Sequence, residues 1–239
     1  MIERANEKKL LTVAVDGPAG TGKSTVCKLF AKKEGLTYLD TGALYRTVAL
    51  RFIETEISYD DSAGIDALLA GTKIGIKKNP DRMTVFLNGK DVTDSIREEG
   101  VGMIASKISA IPRVRQHLLF IQREAAKEGG IIAEGRDMGT VVFPDADIKI
   151  YLDADPAERA RRRYCELESR GERVDYSKVM EDLEIRDMQD RSRAAAPLKP
   201  SDDAIVIDTT RLGIDDVVQT IQNIANRMKC RQHRNDRPE

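Results

Sequence analysis

The chain has 239 residues, 41% hydrophobic and 33% charged, with a net charge of −1. That is an ordinary globular balance, long enough for one large domain or for a core domain carrying an insertion. Near-neutrality gives no strong overall pull on nucleic acid or anionic membrane, so any phosphate-seeking charge must be local. The three cysteines, Cys27, Cys165 and Cys230, stand far apart with no CxxC spacing. They argue against a disulfide framework or zinc site and for a reducing compartment. The opening MIERANEKKLL lacks the apolar run of a signal peptide, and no stretch approaches ~20 apolar residues. A soluble cytoplasmic protein is expected.

LLTVAV (10–15) is a continuous apolar run ending at Asp16, the pattern of a strand buried on both faces. A glycine loop follows, then a helix over 24–34, a short strand TYLD (37–40) and a helix over 41–56. This opens a parallel α/β sheet. In the middle, 72–78, 83–87 and 90–92 alternate polar and apolar residues, with turns at NPD (79–81) and Asn88-Gly89. Short strands joined by tight turns predict an antiparallel meander. Helices over 94–110 and 112–128 follow, Pro112 fitting a first helical turn. Residues 68–129 therefore read as an inserted subdomain, with 1–67 and 130–239 as the core.

The parallel pattern resumes with strands in 129–137, 148–154 and 203–208, giving five parallel strands with helices on both faces. Two charged helices, 156–170 and 176–194, flank RGERVDY, and an amphipathic helix covers 214–229. The polar tail KCRQHRNDRPE is expected to fray.

DGPAGTGKST (16–25) matches G-x-x-x-x-G-K-[ST] through Gly17, Gly22, Lys23 and Ser24. Such a loop, here Gly17, Pro18, Ala19, Gly20, Thr21, Gly22, Lys23, Ser24 and Thr25, turns successive backbone N–H groups toward an anion at a helix N-terminus. Lys23 would reach the outer phosphates of ATP, and the Ser24 hydroxyl would ligate Mg²⁺. Glu134, closing IIAE, is placed for a second metal contact; it could equally be an ordinary strand-end carboxylate.

Motors and switches need few further cations, whereas transfer to a phosphorylated acceptor needs a second cationic cradle. Three places offer one. Thr41 caps a helix that carries Arg46, and Arg136 and Asp137 lie just past the third parallel strand. Arg186, Asp190 and Arg193 share one helix face. Each arginine could instead be an exposed charge or a solvated ion pair worth little. Arg162, Arg163, Arg170 and Arg173, with a break at Gly171, suggest a lid over about 156–175. The alternative is a charged hairpin that merely sits on the surface.

GPAGTGKST, DTGALYR (40–46), SAIPRVR (109–115 with its flank), EGRDMGTVVFPDA (134–146) and RDMQDRSRAAAPL (186–198) together resemble bacterial cytidylate kinases over about 11–228. The resemblance implies a P-loop kinase with an enlarged acceptor-binding domain, acting as a monomer. It would transfer the γ-phosphate of ATP to CMP or dCMP. It implies that Arg46, Arg136 and Arg193 hold the acceptor phosphate, with Arg186 near the transferring phosphate and the sugar. Asp190 would meet the sugar hydroxyl, and Ser106, Arg115 and Asp137 would read cytosine. Thr41 stands where serine is also common, and Glu134 where aspartate is common, leaving a water-mediated metal contact. Cytosine chemistry agrees: a carboxylate suits its exocyclic amine and an arginine its N3 and O2. Rival readings are a kinase for UMP, AMP or a sugar acid, a regulatory GTPase, and an arginine-rich nucleic-acid module. For a GTPase, TKIG (72–75) has glycine where the guanine-reading aspartate belongs. For a nucleic-acid module, the 159–193 arginines are balanced by acids and no aromatic platform is interleaved.

Overall fold

A computed structural model describes residues 10–78 and 83–235. Strand β1 (Thr12–Asp16) leads through the glycine loop to α1 (Lys23–Glu34), and β2 (Thr37–Asp40) runs directly into α2 (Thr41–Thr55). Helix α3 (Ser62–Ala70) precedes the meander β3 (Ile74–Lys78), β4 (Met83–Leu87) and β5 (Lys90–Asp91). Helices α4 (Glu99–Ile108) and α5 (Pro112–Ala125) lead back to β6 (Ile131–Gly135) and β7 (Ile148–Asp153). The charged pair α6 (Pro156–Ser169) and α7 (Tyr176–Ser192), the edge strand β8 (Ile205–Asp208) and α8 (Ile214–Asn235) complete the chain.

The five-stranded sheet has the order β2-β6-β1-β7-β8, and every pairing is parallel. Central β1 buries Val13, Ala14 and Val15 completely, which is why its sequence is continuously apolar rather than alternating. Its register sets Asp16 opposite Gly135 and Tyr151. The glycine loop, Thr41 and Arg136 therefore emerge together at the carboxyl edge of adjacent strands, the edge where open α/β sheets take ligands.

The meander is antiparallel, as its alternation predicts. Asn88 and Gly89 both have positive φ (50° and 87°), the backbone a two-residue hairpin turn needs. The NPD turn at 79–81 lies outside the described residues. One large core joins the sheet to α1, α2 and α8 and continues through Val85, Ile96, Ile108 and Leu118 of the middle segment. Each fully buried aliphatic there contributes on the order of 2 kcal/mol. A second, small cluster of Ala160, Leu167, Val179 and Leu183 lies between α6 and α7, with Ala19 of the glycine loop packed against it.

Four elements differ from the sequence reading. Helix α3 was not anticipated. Asp61 caps it by accepting from Gly64 N at 2.9 Å, and Ile65, Leu68 and Leu69 are buried. The helix expected over 94–110 divides into a short 3₁₀ turn, Ser95–Arg97, and α4. Glu98 between them is extended (φ −60°, ψ 144°). Residues Met138–Val142, to which the sequence reading assigned no element, form a single π-type turn. Finally, α8 runs to Asn235 instead of fraying after 229. Lys229 and Gln222 both donate to Glu34 of α1, at 2.8 and 3.2 Å, fastening the helix where the tail was expected to loosen. Residues 236–239 lie outside the described chain.

Candidate active site

The glycine loop is shaped by steric necessity. Gly17 has φ +145°, and a Cβ there would collide with the backbone carbonyl of Leu152 in β7. Gly22, at φ +87°, turns the chain into α1. Lys23, the first residue of α1, is buried and donates from Nζ to Pro18 O (2.5 Å) and Thr21 Oγ1 (3.3 Å). Burial pushes its ammonium down to about 7, and repulsion from Arg136 and Arg186 adds to this against the pull of Glu134. A phosphate chain is the partner that would restore its charge. Ala19, Gly20, Gly22, Lys23, Ser24 and Thr25 line the cleft, whereas Gly17, Pro18 and Thr21 frame the loop behind them.

Across β1, Glu134 of β6 comes within reach of α1. Ser24 Oγ donates to Glu134 Oε2 at 3.0 Å, the Tyr38 hydroxyl donates to Glu134 Oε1, and Thr41 Oγ1 donates to the Glu134 backbone carbonyl at 2.6 Å. Burial, with Asp40 beside it, raises the Glu134 carboxyl above its usual range. Two oxygens of different residues, paired at the foot of a phosphate loop, fit a hard divalent cation that keeps waters and substrate phosphates as its other ligands. Ser24 and Glu134 are the residues that would hold Mg²⁺.

The same cleft, about 450 Å³, is lined on its other side by Thr41, Arg46, Ser106, Arg136, Asp137, Arg186, Asp190 and Arg193. Asp40 caps α2 through Ala43 N (2.9 Å) and pairs with Arg46 at 2.8 Å. Burial works to raise the Asp40 carboxyl, yet Arg46 and the cap bond hold it below its usual range. Arg136 Nε donates to Asp190 Oδ2 at 2.8 Å. Arg193 does not share the expected helix face with Arg186 and Asp190: it lies just past the end of α7 in extended conformation (φ −61°, ψ 137°), donating to Ala196 O (2.7 Å) and Ser109 Oγ (3.1 Å).

Three buried donors on this side make no hydrogen bond: Arg46 Nε, Arg186 Nε and Arg193 Nη2. Burial and the nearby Arg136 push Arg186 down to about 10, and burial with Arg115 lowers Arg193. Individual guanidinium donors left without partners in one cationic cleft are what an anionic ligand would satisfy. Arg115 stands just behind the lining. It pairs with Asp137, donates to Ser109 O at 3.3 Å and lies over the Tyr45 ring. Ser106 Oγ donates to Gln189 Oε1 of α7 at 2.9 Å, so the hydroxyl expected at the base already has a partner.

The four arginines of the expected lid divide. Arg163 and Arg170 reach the cleft, each paired with Glu166. Arg162 does not: it donates to Glu158, Thr209 Oγ1 and Thr209 O, which turns it toward the end of β8. Arg173 lies in the connection between α6 and α7 beside Glu172 and Asp175, away from the cleft.

Sequence reasoning also missed several residues. Arg159 donates to Ala19 O and Ala154 O (both 3.1 Å) and pairs with Asp187 at 2.7 Å, tying the glycine loop to α6 and α7. Nothing in its charged surroundings distinguished it. Asp16 is buried and accepts from Met138 N and Gly139 N, both at 2.8 Å. Its signal was an acid ending an apolar strand. Tyr38 and Gln189 gave none.

A five-stranded parallel sheet bearing this loop, facing a second cationic cradle within one cleft, makes the molecule a nucleotide-binding transferase of the P-loop kinase fold. That fold is shared with gluconokinase from Sinorhizobium meliloti 1021 (TM-score 0.52, 11% identity, covering 97% of this chain and 100% of that one). Shikimate kinase from Bacteroides thetaiotaomicron is comparable (TM-score 0.50, 13% identity, covering 91% and 99%). At such identities the likeness is one of fold alone.

Sequence relatives narrow the class. The family model described as cytidylate kinase matches residues 13–227. A cytidylate kinase from Caldicellulosiruptor saccharolyticus is 45% identical over 213 residues, 89% of this chain and 94% of its own length. Cytidylate kinases from Aeromonas hydrophila and Geobacter sulfurreducens are each 46% identical, covering 87% and 90% of this chain and 91% and 92% of their own lengths. The chain belongs to the cytidylate kinase family.

Proposed function

We propose that the protein transfers the γ-phosphate of ATP to CMP or dCMP, giving ADP and the nucleoside diphosphate. In this reading it works as a cytoplasmic monomer with no nucleic-acid or membrane partner. The observation that carries the reading is the sharing of one cleft by the phosphate loop and by three arginines with unsatisfied donors.

The loop amides and Lys23 hold the outer phosphates of ATP. Arg46, Arg136 and Arg193 hold the phosphate of the acceptor opposite. Arg186, whose buried Nε has no partner, gains most as negative charge spreads over the transferring group, so its stabilisation is largest where the rate is set. Mg²⁺ supplies charge neutralisation across the transferring phosphates when bound, with Ser24 and Glu134 as its protein contacts. No general base is required, because the acceptor phosphate oxygen is already a nucleophile. The protein's work is alignment and electrostatics.

Thr41 contacts the acceptor, Asp190 meets the sugar hydroxyl, and Asp137, Arg115 and Ser106 read the base. Asp137 accepts from the cytosine amine while Arg115 donates to N3 and O2. Uracil would set an oxygen against Asp137 and an N–H against Arg115, leaving buried polar groups mismatched. Ser106 would exchange Gln189 for the base. Residues 68–129 form the acceptor-binding subdomain, and α6–α7, through Arg163 and Arg170, form a lid that excludes water before transfer. Its separate apolar cluster supports movement as a unit.

The test is an ADP-coupled assay with ATP, Mg²⁺ and each nucleoside monophosphate in turn. Turnover with CMP and dCMP far above UMP and AMP is expected. Acceptor-independent ADP release, or a preference for UMP or AMP, would overturn the assignment.

A further inference from the structure

Asp16 ends the strand that feeds the phosphate loop, and both of its carboxylate oxygens accept hydrogen bonds from a different segment. Oδ1 accepts from Met138 N and Oδ2 from Gly139 N, each at 2.8 Å, across more than 120 residues of sequence. These are the first two amides of the π-type turn. Later amides of the turn have partners within it: Val141 N and Val142 N donate to Asp137 O, and Phe143 N donates to Met138 O. The first two have no such partner, and Asp16 supplies it from another strand, as a helix cap would. Asp137, the proposed base reader, is joined directly to Met138, and Arg136 precedes it.

We infer that Asp16 is a positioning residue for acceptor selectivity. Its carboxylate locks the Arg136–Asp137 segment in register with the phosphate loop that begins at Gly17. The inference rests on the reading of Asp137 as the cytosine contact.

Three features support it. The pair of bonds demands two acceptors: an asparagine would turn an amide N–H toward a backbone N–H. The seat is rigid, because Asp16 is held between β6 and β7 through Gly135 and Tyr151. The turn has little room to settle elsewhere: a Cβ on Gly135 would meet Met138 Cε at 2.6 Å, and one on Gly139 would meet Lys149 Cδ and Ser201 Oγ at 3.2 Å. The charges acting on Asp16 are Asp137 and Lys23, of opposite sign.

The experiment measures kcat and KM of wild type and Asp16→Asn with CMP, UMP and ATP, together with melting temperature. The variant is expected to raise KM for CMP about ten-fold and to cut the CMP-over-UMP ratio of kcat/KM about ten-fold, with KM for ATP within about two-fold of wild type. A purely structural residue would lower the melting temperature and leave the ratio intact, and that result overturns the inference. Asp16→Ser, smaller and uncharged, carries the same expectation should asparagine prevent folding.

Hydrogen exchange on the wild-type protein adds a measurement that needs no variant. A non-hydrolysable ATP analogue with Mg²⁺ is expected to slow exchange at Met138 and Gly139. Binding of the analogue without that effect counts against the clamp. If the wild type itself fails to favour CMP, the base-reading assignment falls and this inference falls with it. If the wild type favours CMP and Asp16→Asn does too, only the role of Asp16 is lost.

Discussion

Lys23 and Asp137 are single residues whose surroundings set what they can do. Lys23→Ala is expected to lower kcat by about 10²–10³, the usual cost of removing one preorganised charge from a transition state. Asp137→Ala should lose most of the CMP-over-UMP preference, about 10²-fold, read from kcat/KM with each acceptor. A proton balance tests the Lys23 environment separately. Burial brings its ammonium down to about 7, so much of it is neutral at pH 8. A bound phosphate chain favours the charged form and raises that value. Between about 7 and the ordinary lysine range, binding therefore takes up a proton, and affinity falls as pH rises. Calorimetry of an ATP analogue at pH 8, in buffers of different ionisation enthalpy, should show uptake approaching one proton per site. Zero uptake would contradict the buried, depressed ammonium. The P-loop residues were legible in the sequence because glycine spacing, lysine and hydroxyl form a local pattern. Arg159 and Gln189 were not, since their partners lie far along the chain and no neighbouring residue announces them.

At the scale of elements, the root of α6 is the most constrained joint described. Arg159 is buried against Asp187 and also holds the loop through Ala19 O. Arg159→Met would leave Asp187 as an uncompensated buried charge, costing about 3 kcal/mol by urea unfolding. An undiminished midpoint would show the joint to be dispensable. Beyond that root, Arg163 and Arg170 face the cleft. A bisubstrate analogue should slow hydrogen exchange across 156–193; protection confined to the glycine loop would remove the lid. The strands of the large sheet were readable because each carries a run of apolar residues, and β3 and β4 because theirs alternate. Helix α3 escaped notice as a short element whose first turn is marked only by Asp61. The split ahead of α4 depends on one extended residue, Glu98. The first amides of the π-type turn meet Asp16 from another strand, a contact that no local pattern encodes.

Across the whole molecule, the cores decide what unfolds with what. The meander and helices of the middle segment share their apolar interior with the sheet. Thermal unfolding of the body should therefore be a single transition, with calorimetric and van't Hoff enthalpies in agreement. Two resolved body transitions would show that the middle segment folds on its own. The α6–α7 hairpin differs, since its four buried apolar residues touch the rest of the molecule chiefly through Ala19. A covering that keeps its interior to itself is modular in the evolutionary sense. Its far end, where α6 passes into α7 over 170–175, can lengthen or shorten while the sheet stays as it is, provided the Arg159 root and the cleft residues Arg186, Asp190 and Arg193 survive. The diversity of such a fold is thus free to accumulate in the roof, leaving the foundations unaltered.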